Sequence, residues 1–119
     1  MTTKIRQVLS SSSINGTTVQ NMQRENLGEI KDLMIDITEG RIAYAVLSFG
    51  GFLGMGDKLF AIPWEAFRVV QEEEVLLLDV VKEKLENAPG FDKDNWPDMA
   101  DTTWGRGIHD YYGYSPYWN

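Results

Sequence analysis

The sequence has no cysteine, so disulfide frameworks and thiolate metal sites are excluded. That absence suits a reducing compartment, and a cytoplasmic protein is the expectation. His109 is the only histidine, so one chain cannot assemble a multi-histidine metal centre. Positive charge is scarce: 11 Lys and Arg stand against 18 Asp and Glu, for a formal charge of -7. With no Lys/Arg cluster to override that field locally, phosphate backbones are repelled and nucleic acid is not an expected partner. No segment reaches the roughly 18 to 20 consecutive apolar residues that span a bilayer. The first residues, MTTKIRQVLSSSS, lack the apolar centre of a signal peptide. The expectation is a soluble protein with no membrane insertion.

What is present suits one small domain, since 119 residues at 43% hydrophobic content are typical of a single globular unit. Residues 1–10 carry no period and read as a lead-in, and Ser10 to Ser13 offer hydroxyls that compete for backbone hydrogen bonds. Asn15-Gly16 is a turn dipeptide, and the β-branched Thr17, Thr18 and Val19 after it favour extension. The polar stretch 20–26, ending at Gly28, reads as a loop. In residues 29–37, Leu33, Ile35 and Ile37 alternate with Asp32, Met34 and Asp36, which predicts a strand with Leu33, Ile35 and Ile37 on its buried face. Glu39-Gly40 then turns the chain back antiparallel.

The next strand, residues 41–49, organises the rest. Ile42, Tyr44 and Val46 line one face and Ala43, Ala45, Leu47 and Phe49 the other, so both faces require cover. After it come Gly50, Gly51, Gly54 and Gly56, too many glycines for a regular element and enough for several left-handed positions. A strand resumes at 59–62 and stops at Pro63, and the run from Pro63 to Phe67 fits one helical turn with proline at its start. Trp64 and Phe67 are expected in the core. Residues 69–70 and 75–81 are extended, the acidic run Glu72 to Glu74 turns between them, and 82–87 form a short helix stopped by Ala88-Pro89-Gly90. Residues 91–119 are rich in Asp, Gly and aromatics and nearly free of aliphatic side chains, so they read as a tail, and Gly113, Ser115 and Pro116 deny YYGYSPYW at 111–118 a regular core element. The division is a lead-in at 1–10, a barrel domain at 11–90 and an aromatic, acidic extension at 91–119. The fold class is mostly β: a small antiparallel barrel with one or two short helices and an aromatic C-terminal tail.

Four segments carry a resemblance: GEIKD at 28–32, GRIAY at 40–44, GGFLGMGDK at 50–58 and IPW at 62–64. Together they resemble the PRC-barrel family, named for the cytoplasmic domain of the photosynthetic reaction-centre H subunit and including the carboxy-terminal domain of a ribosome-maturation factor. The likeness spans roughly residues 10–91. It implies a small β-barrel used for assembly and protein contact, with no catalytic residues to carry over. In that pattern Gly50, Gly51, Gly54, Gly56, Pro63 and Trp64 are structural. Val81 departs from it, because Ser or Thr would better start the following helix, which is therefore expected to be short or frayed.

Sharper readings of single motifs fail on their chemistry. Gly51 and Gly56 have the spacing of a phosphate-binding loop, yet Asp57 stands where the lysine is needed. Asp92, Asp94, Asp98 and Asp101 approach a calcium loop, but Trp96 and Pro97 occupy the positions of a ligand and of glycine; helix capping and solubility account for them better. His109 reads as a solvated tail residue. Phe52, Leu53 and Met55 either present a contact surface or plug one end of the barrel. The aromatics Trp104, Tyr111, Tyr112, Tyr114, Tyr117 and Trp118 have the side chains of interfaces and either wrap their own barrel, cover a neighbouring subunit or stay loose. The expected function is a non-enzymatic, homodimeric interaction or assembly module that also meets an unidentified protein, with no cofactor and no metal. The alternatives are a small-molecule or cofactor-binding protein using the barrel mouth and, less favoured by the acidic charge, a ribosome or RNA maturation factor.

Overall fold

Turn residues set the strand order in the computed structural model, which describes residues 8–50 and 57–118. Ser10 caps helix α1 (Ser11–Ile14), its hydroxyl accepting from the Ser13 amide at 3.2 Å, so the serine run forms one helical turn. Gly16, at φ 85°, turns the chain into β1 (Thr18–Gln20). Strands β2 (Asn26–Asp36) and β3 (Arg41–Gly50) form the predicted hairpin, with Gly40 at φ 67° and its amide bonded to the Asp36 carbonyl at 2.8 Å. Strand β4 (Asp57–Pro63) runs antiparallel to β3. Pro63 then ends the ladder, a 3-10 turn covers Trp64–Ala66, and β5 (Phe67–Val70) leads through a second 3-10 turn, Gln71–Glu73, to β6 (Val75–Leu78).

The six strands make one curled, half-barrel sheet in the order β4-β3-β2-β1-β6-β5. The mostly β class is as expected, with one addition: β1 and β6 pair in parallel, while every other pair is antiparallel. The corner after Pro63 explains this. It carries the chain from one sheet edge, β4, to the other, β5, and the hairpin from β5 returns β6 alongside β1 in the same direction.

Strand β2 differs from its alternating pattern. Register shifts between Ile30 and Asp32 and between Met34 and Ile35 mark bulges against β3, and each bulge changes which side chains face inward. Leu33 is buried as expected, but Ile35 and Ile37 are 55% and 89% exposed. Upstream, Asn26 and Leu27 already belong to the strand, so the loop predicted to end at Gly28 ends sooner. Gly28 has φ 131°, and a Cβ there would lie inside the van der Waals shell of the Ser48 carbonyl oxygen. Only glycine allows β2 and β3 to approach so closely.

The core fills the concave face with Val19, Leu47, Ile62 and Leu78, all fully buried. Helix α2 (Lys82–Glu86) adds Leu85; as Val81 implied, it is five residues long and lacks a side-chain N-cap bond. The extension holds a helix that its composition did not lead one to expect. Residues Thr102–Tyr112 form α3, the longest helix described, and it packs against β4. Gly105 and Gly107 weaken its intrinsic propensity, but Asp101 caps it and Ile108 and Tyr112 are buried, a tertiary gain that outweighs the propensity cost.

Gly28→Ala adds both backbone strain and a collision with backbone, so it is expected to destabilise the fold by about 3 kcal/mol or more. Urea unfolding followed by circular dichroism reads this directly, and an unchanged midpoint would refute the close approach.

Candidate functional site

The chain's own C-terminal segment packs against β4 and reaches β3 at Tyr44 and Arg41. Asp101 accepts from the Thr103 and Trp104 amides and so fixes where α3 begins. The four-residue spacing of Trp104, Ile108 and Tyr112 puts them on one helix face. Trp104 meets the Tyr44 ring edge-on at 5.3 Å. His109 lies 5.6 Å from the same ring and is fully buried, its Nδ1 2.8 Å from the Gly105 carbonyl oxygen. The solvated histidine expected from the sequence is therefore a core residue. Gly105 leaves room here, since a Cβ would come within 2.7 Å of both Tyr44 Oη and Trp118 Cη2 and one of those ring ends would have to shift.

Past α3 the chain turns on Gly113, at φ 82°, whose amide donates to the Asp110 and His109 carbonyls. It then folds back as a strap. Trp118 packs edge-on against His109 at 5.1 Å. Tyr117 donates its hydroxyl to Asp36 Oδ2 at 2.6 Å, and the Arg41 guanidinium sits 4.0 Å over its ring while pairing with Glu65 at 2.9 Å. Tyr111 donates to the Lys84 carbonyl at 2.6 Å, tying α3 to α2. These contacts shift the ionisation of the groups involved. The Tyr117 bond, with amide donors behind it, holds the Asp36 carboxyl below its ordinary range. Burial, with Glu65 and Asp36 nearby, pushes Tyr44 up to about 12, and burial also raises Tyr112.

Between the β2–β3 hairpin and the start of α3 lies an open cleft of about 560 Å³, lined among others by Met34, Ile35, Asp36, Tyr44, Met99 and Trp118. Two buried polar atoms of its lining residues, Tyr44 Oη and Trp118 Nε1, have no hydrogen-bond partner among the described residues; His109 Nε2 nearby and Tyr112 Oη are in the same condition. A second cleft of about 400 Å³ lies between α1 and the β5–β6 hairpin, with Leu9, Ile14 and Val69 on its walls.

The aromatics singled out in the sequence are thus brought together on one side of the barrel: Tyr112 is buried, and Trp104, Tyr111, Tyr114, Tyr117 and Trp118 are half-buried against it. Gly50 ends β3 opposite Asp57. Pro63 is buried at the corner, and Trp64, expected in the core, is half-buried and stacked on Phe67 at 5.7 Å. Gly51, Phe52, Leu53, Gly54, Met55 and Gly56 lie outside the described residues. Among those described, no cluster of side chains fit to hold a metal ion occurs. Asp98 and Asp101 instead accept backbone amides. Nor is any described helix long and apolar enough to cross a membrane. Sequence reasoning missed His109 and the cleft; the buried face of α3 was signalled by Asp101, Gly113 and the four-residue aromatic spacing.

A curled sheet with a strand apolar on both faces, a glycine-dependent hairpin and a Pro-Trp corner defines a small barrel class. The profile of the PRC-barrel domain matches residues 6–85, and the chain belongs to that family. No curated protein matches it. Among solved structures, it is similar to RimM from Pseudomonas aeruginosa, described as a 16S ribosomal RNA processing protein, with 16% identity and a TM-score of 0.44. That match covers 63% of this chain and 45% of the other, so the chain spans under half the length of this neighbour.

Two outcomes follow from this geometry. Because Asp36 is held low in the folded state, its contribution is full above the unfolded carboxyl value near 4 and is lost as pH falls through the lowered value. Tyr117→Phe should flatten that acid limb in a plot of stability against pH from 2 to 6, and an unaltered limb would contradict the strap contact. Tyr44→Phe removes a hydroxyl with no partner among the described residues, so stability should stay level or rise by up to about 1 kcal/mol. A melting temperature several degrees lower would mean that the hydroxyl is bonded to something.

Proposed function

We propose that this chain is a non-enzymatic PRC-barrel interaction module of the cytoplasm, that it works by protein contact, and that its first partner is a second copy of itself. Strand β3 is buried from Ala43 to Phe49 and offers no contact surface, whereas Ile35 and Ile37, near the turn of the β2–β3 hairpin, are exposed. Apolar side chains exposed close together near a turn favour an isologous contact, in which the same patch serves both subunits. The acidic charge argues against nucleic acid as the partner.

Light scattering at micromolar concentration tests this reading. The wild-type chain is expected at twice the monomer mass, and Ile37→Glu at the monomer mass. Because the side chain is exposed, its replacement should change stability by no more than about 0.5 kcal/mol. A wild-type monomer at every concentration would remove the homodimer, and a dimer untouched by Ile37→Glu would remove the hairpin as its interface.

A further inference from the structure

We propose that Asn15 is a modification site, where the side-chain amide is lost through a cyclic imide at a rate that the fold controls. This goes beyond the protein-contact role and uses none of the hairpin residues on which that role rests. Asn15-Gly16 is the only Asn-Gly pair in the sequence; the other asparagines with a successor precede Met, Leu, Ala or Trp. Asn15 ends helix α1, Gly16 turns the chain into β1, and both are exposed. Nothing lies within 4 Å of where a Gly16 Cβ would stand. Its amide nitrogen is therefore the least hindered one that follows an asparagine in this chain. The chemistry balances with water as the sole co-reactant. The Gly16 nitrogen gives up its proton and attacks Asn15 Cγ, and the side-chain nitrogen leaves as ammonia when the ring closes. Water then opens the ring at one of its two carbonyls, giving aspartate or isoaspartate, the latter with one more carbon in the backbone. Either product adds a carboxylate to the smaller cleft, whose lining includes Asn15 and Glu74.

Two features of the fold oppose ring closure. The Gly16 amide donates to the Ile30 carbonyl at 2.7 Å, which holds both the nitrogen and its proton against β2, and the Ile30 amide donates back to the Thr17 carbonyl at 3.0 Å. Asn15 leaves the helix at φ -59° and ψ 135°, with its own amide donating to the Ser11 carbonyl at 3.0 Å. Ring closure needs the Gly16 nitrogen eclipsed with the Asn15 Cα–Cβ bond, and at that ψ it stands well away from it. Asn15 has to rotate and the bond to Ile30 has to break before the ring forms. The reaction therefore passes through local opening of this turn from β2, and its rate is the open-chain rate multiplied by the fraction of time the turn is open. Ile14, buried at the end of α1, is the side chain that anchors the turn.

The test incubates the full-length chain at pH 8 and 37 °C, folded and unfolded in guanidinium, and follows each asparagine by peptide mass spectrometry as a gain of about one mass unit. Chromatography separates the isoaspartyl from the aspartyl peptide. In the unfolded chain Asn15 is expected to react ahead of every other asparagine and to yield both products. In the folded chain it should react more slowly by about tenfold or more, the protection that a mostly closed turn confers. Ile14→Ala should raise the folded rate several-fold and leave the unfolded rate unchanged. Reaction at Asn15 no faster than at the other asparagines of the unfolded chain overturns the site. A folded rate within about threefold of the unfolded one overturns control by the fold. An unchanged rate in folded Ile14→Ala overturns the turn after α1 as the gate. If Ile14→Ala folds poorly, the two wild-type rates still decide the site and its protection.

Discussion

Strand β3 has no polar face. Apolar residues on both of its sides must leave water, and a strand of this kind is ordinarily found where cover is available above and below. Here the sheet's own curl supplies one cover, and the C-terminal helix with its strap meets the strand at Tyr44 and Arg41. Residues 43–49 are consequently buried without a break. The hairpin with β2 is drawn in until only glycine fits at position 28, and the central aromatic of β3, Tyr44, becomes the point on which Trp104, His109 and Trp118 converge.

Much of this was legible from residue types. The turns at Asn15-Gly16 and Glu39-Gly40, the two-sided strand, the Pro63 corner and the short helix after Val81 each follow from local chemistry that tertiary structure did not override. The PRC-barrel segments add up to the same fold, and the family match over residues 6–85 agrees with it. Two features were hidden. The face of β2 was misread beyond Leu33, because a bulge depends on the partner strand and leaves no trace in the alternation of Leu33, Ile35 and Ile37. Helix α3 was missed because a segment rich in Asp, Gly and aromatics and poor in aliphatic residues lacks the usual apolar helical period, whereas its inward face combines Ile108 with Trp104, His109 and Tyr112. Gly105 leaves the space that Tyr44 and Trp118 occupy.

The site was only partly visible for the same reason. Composition marked Trp104, Tyr111, Tyr112, Tyr114, Tyr117 and Trp118 as a group with surface to bury, but not which surface. Their placement depends on Asp36 and Arg41, more than seventy residues upstream of Tyr117, and no pattern in the sequence links those positions. His109 illustrates the limit further. A lone histidine beside an aspartate looks solvated until the helix carrying it is seen to turn that side chain inward.

The order in which the segments are synthesised gives the cap a further consequence. A ribosome releases β3 well before it releases α3, so a nascent chain carries the outer side of Tyr44 and its neighbours bare throughout the interval between them. Contacts formed this late in translation leave the apolar strand open to association with other chains until synthesis is finished, and a product truncated before α3 would keep that surface exposed.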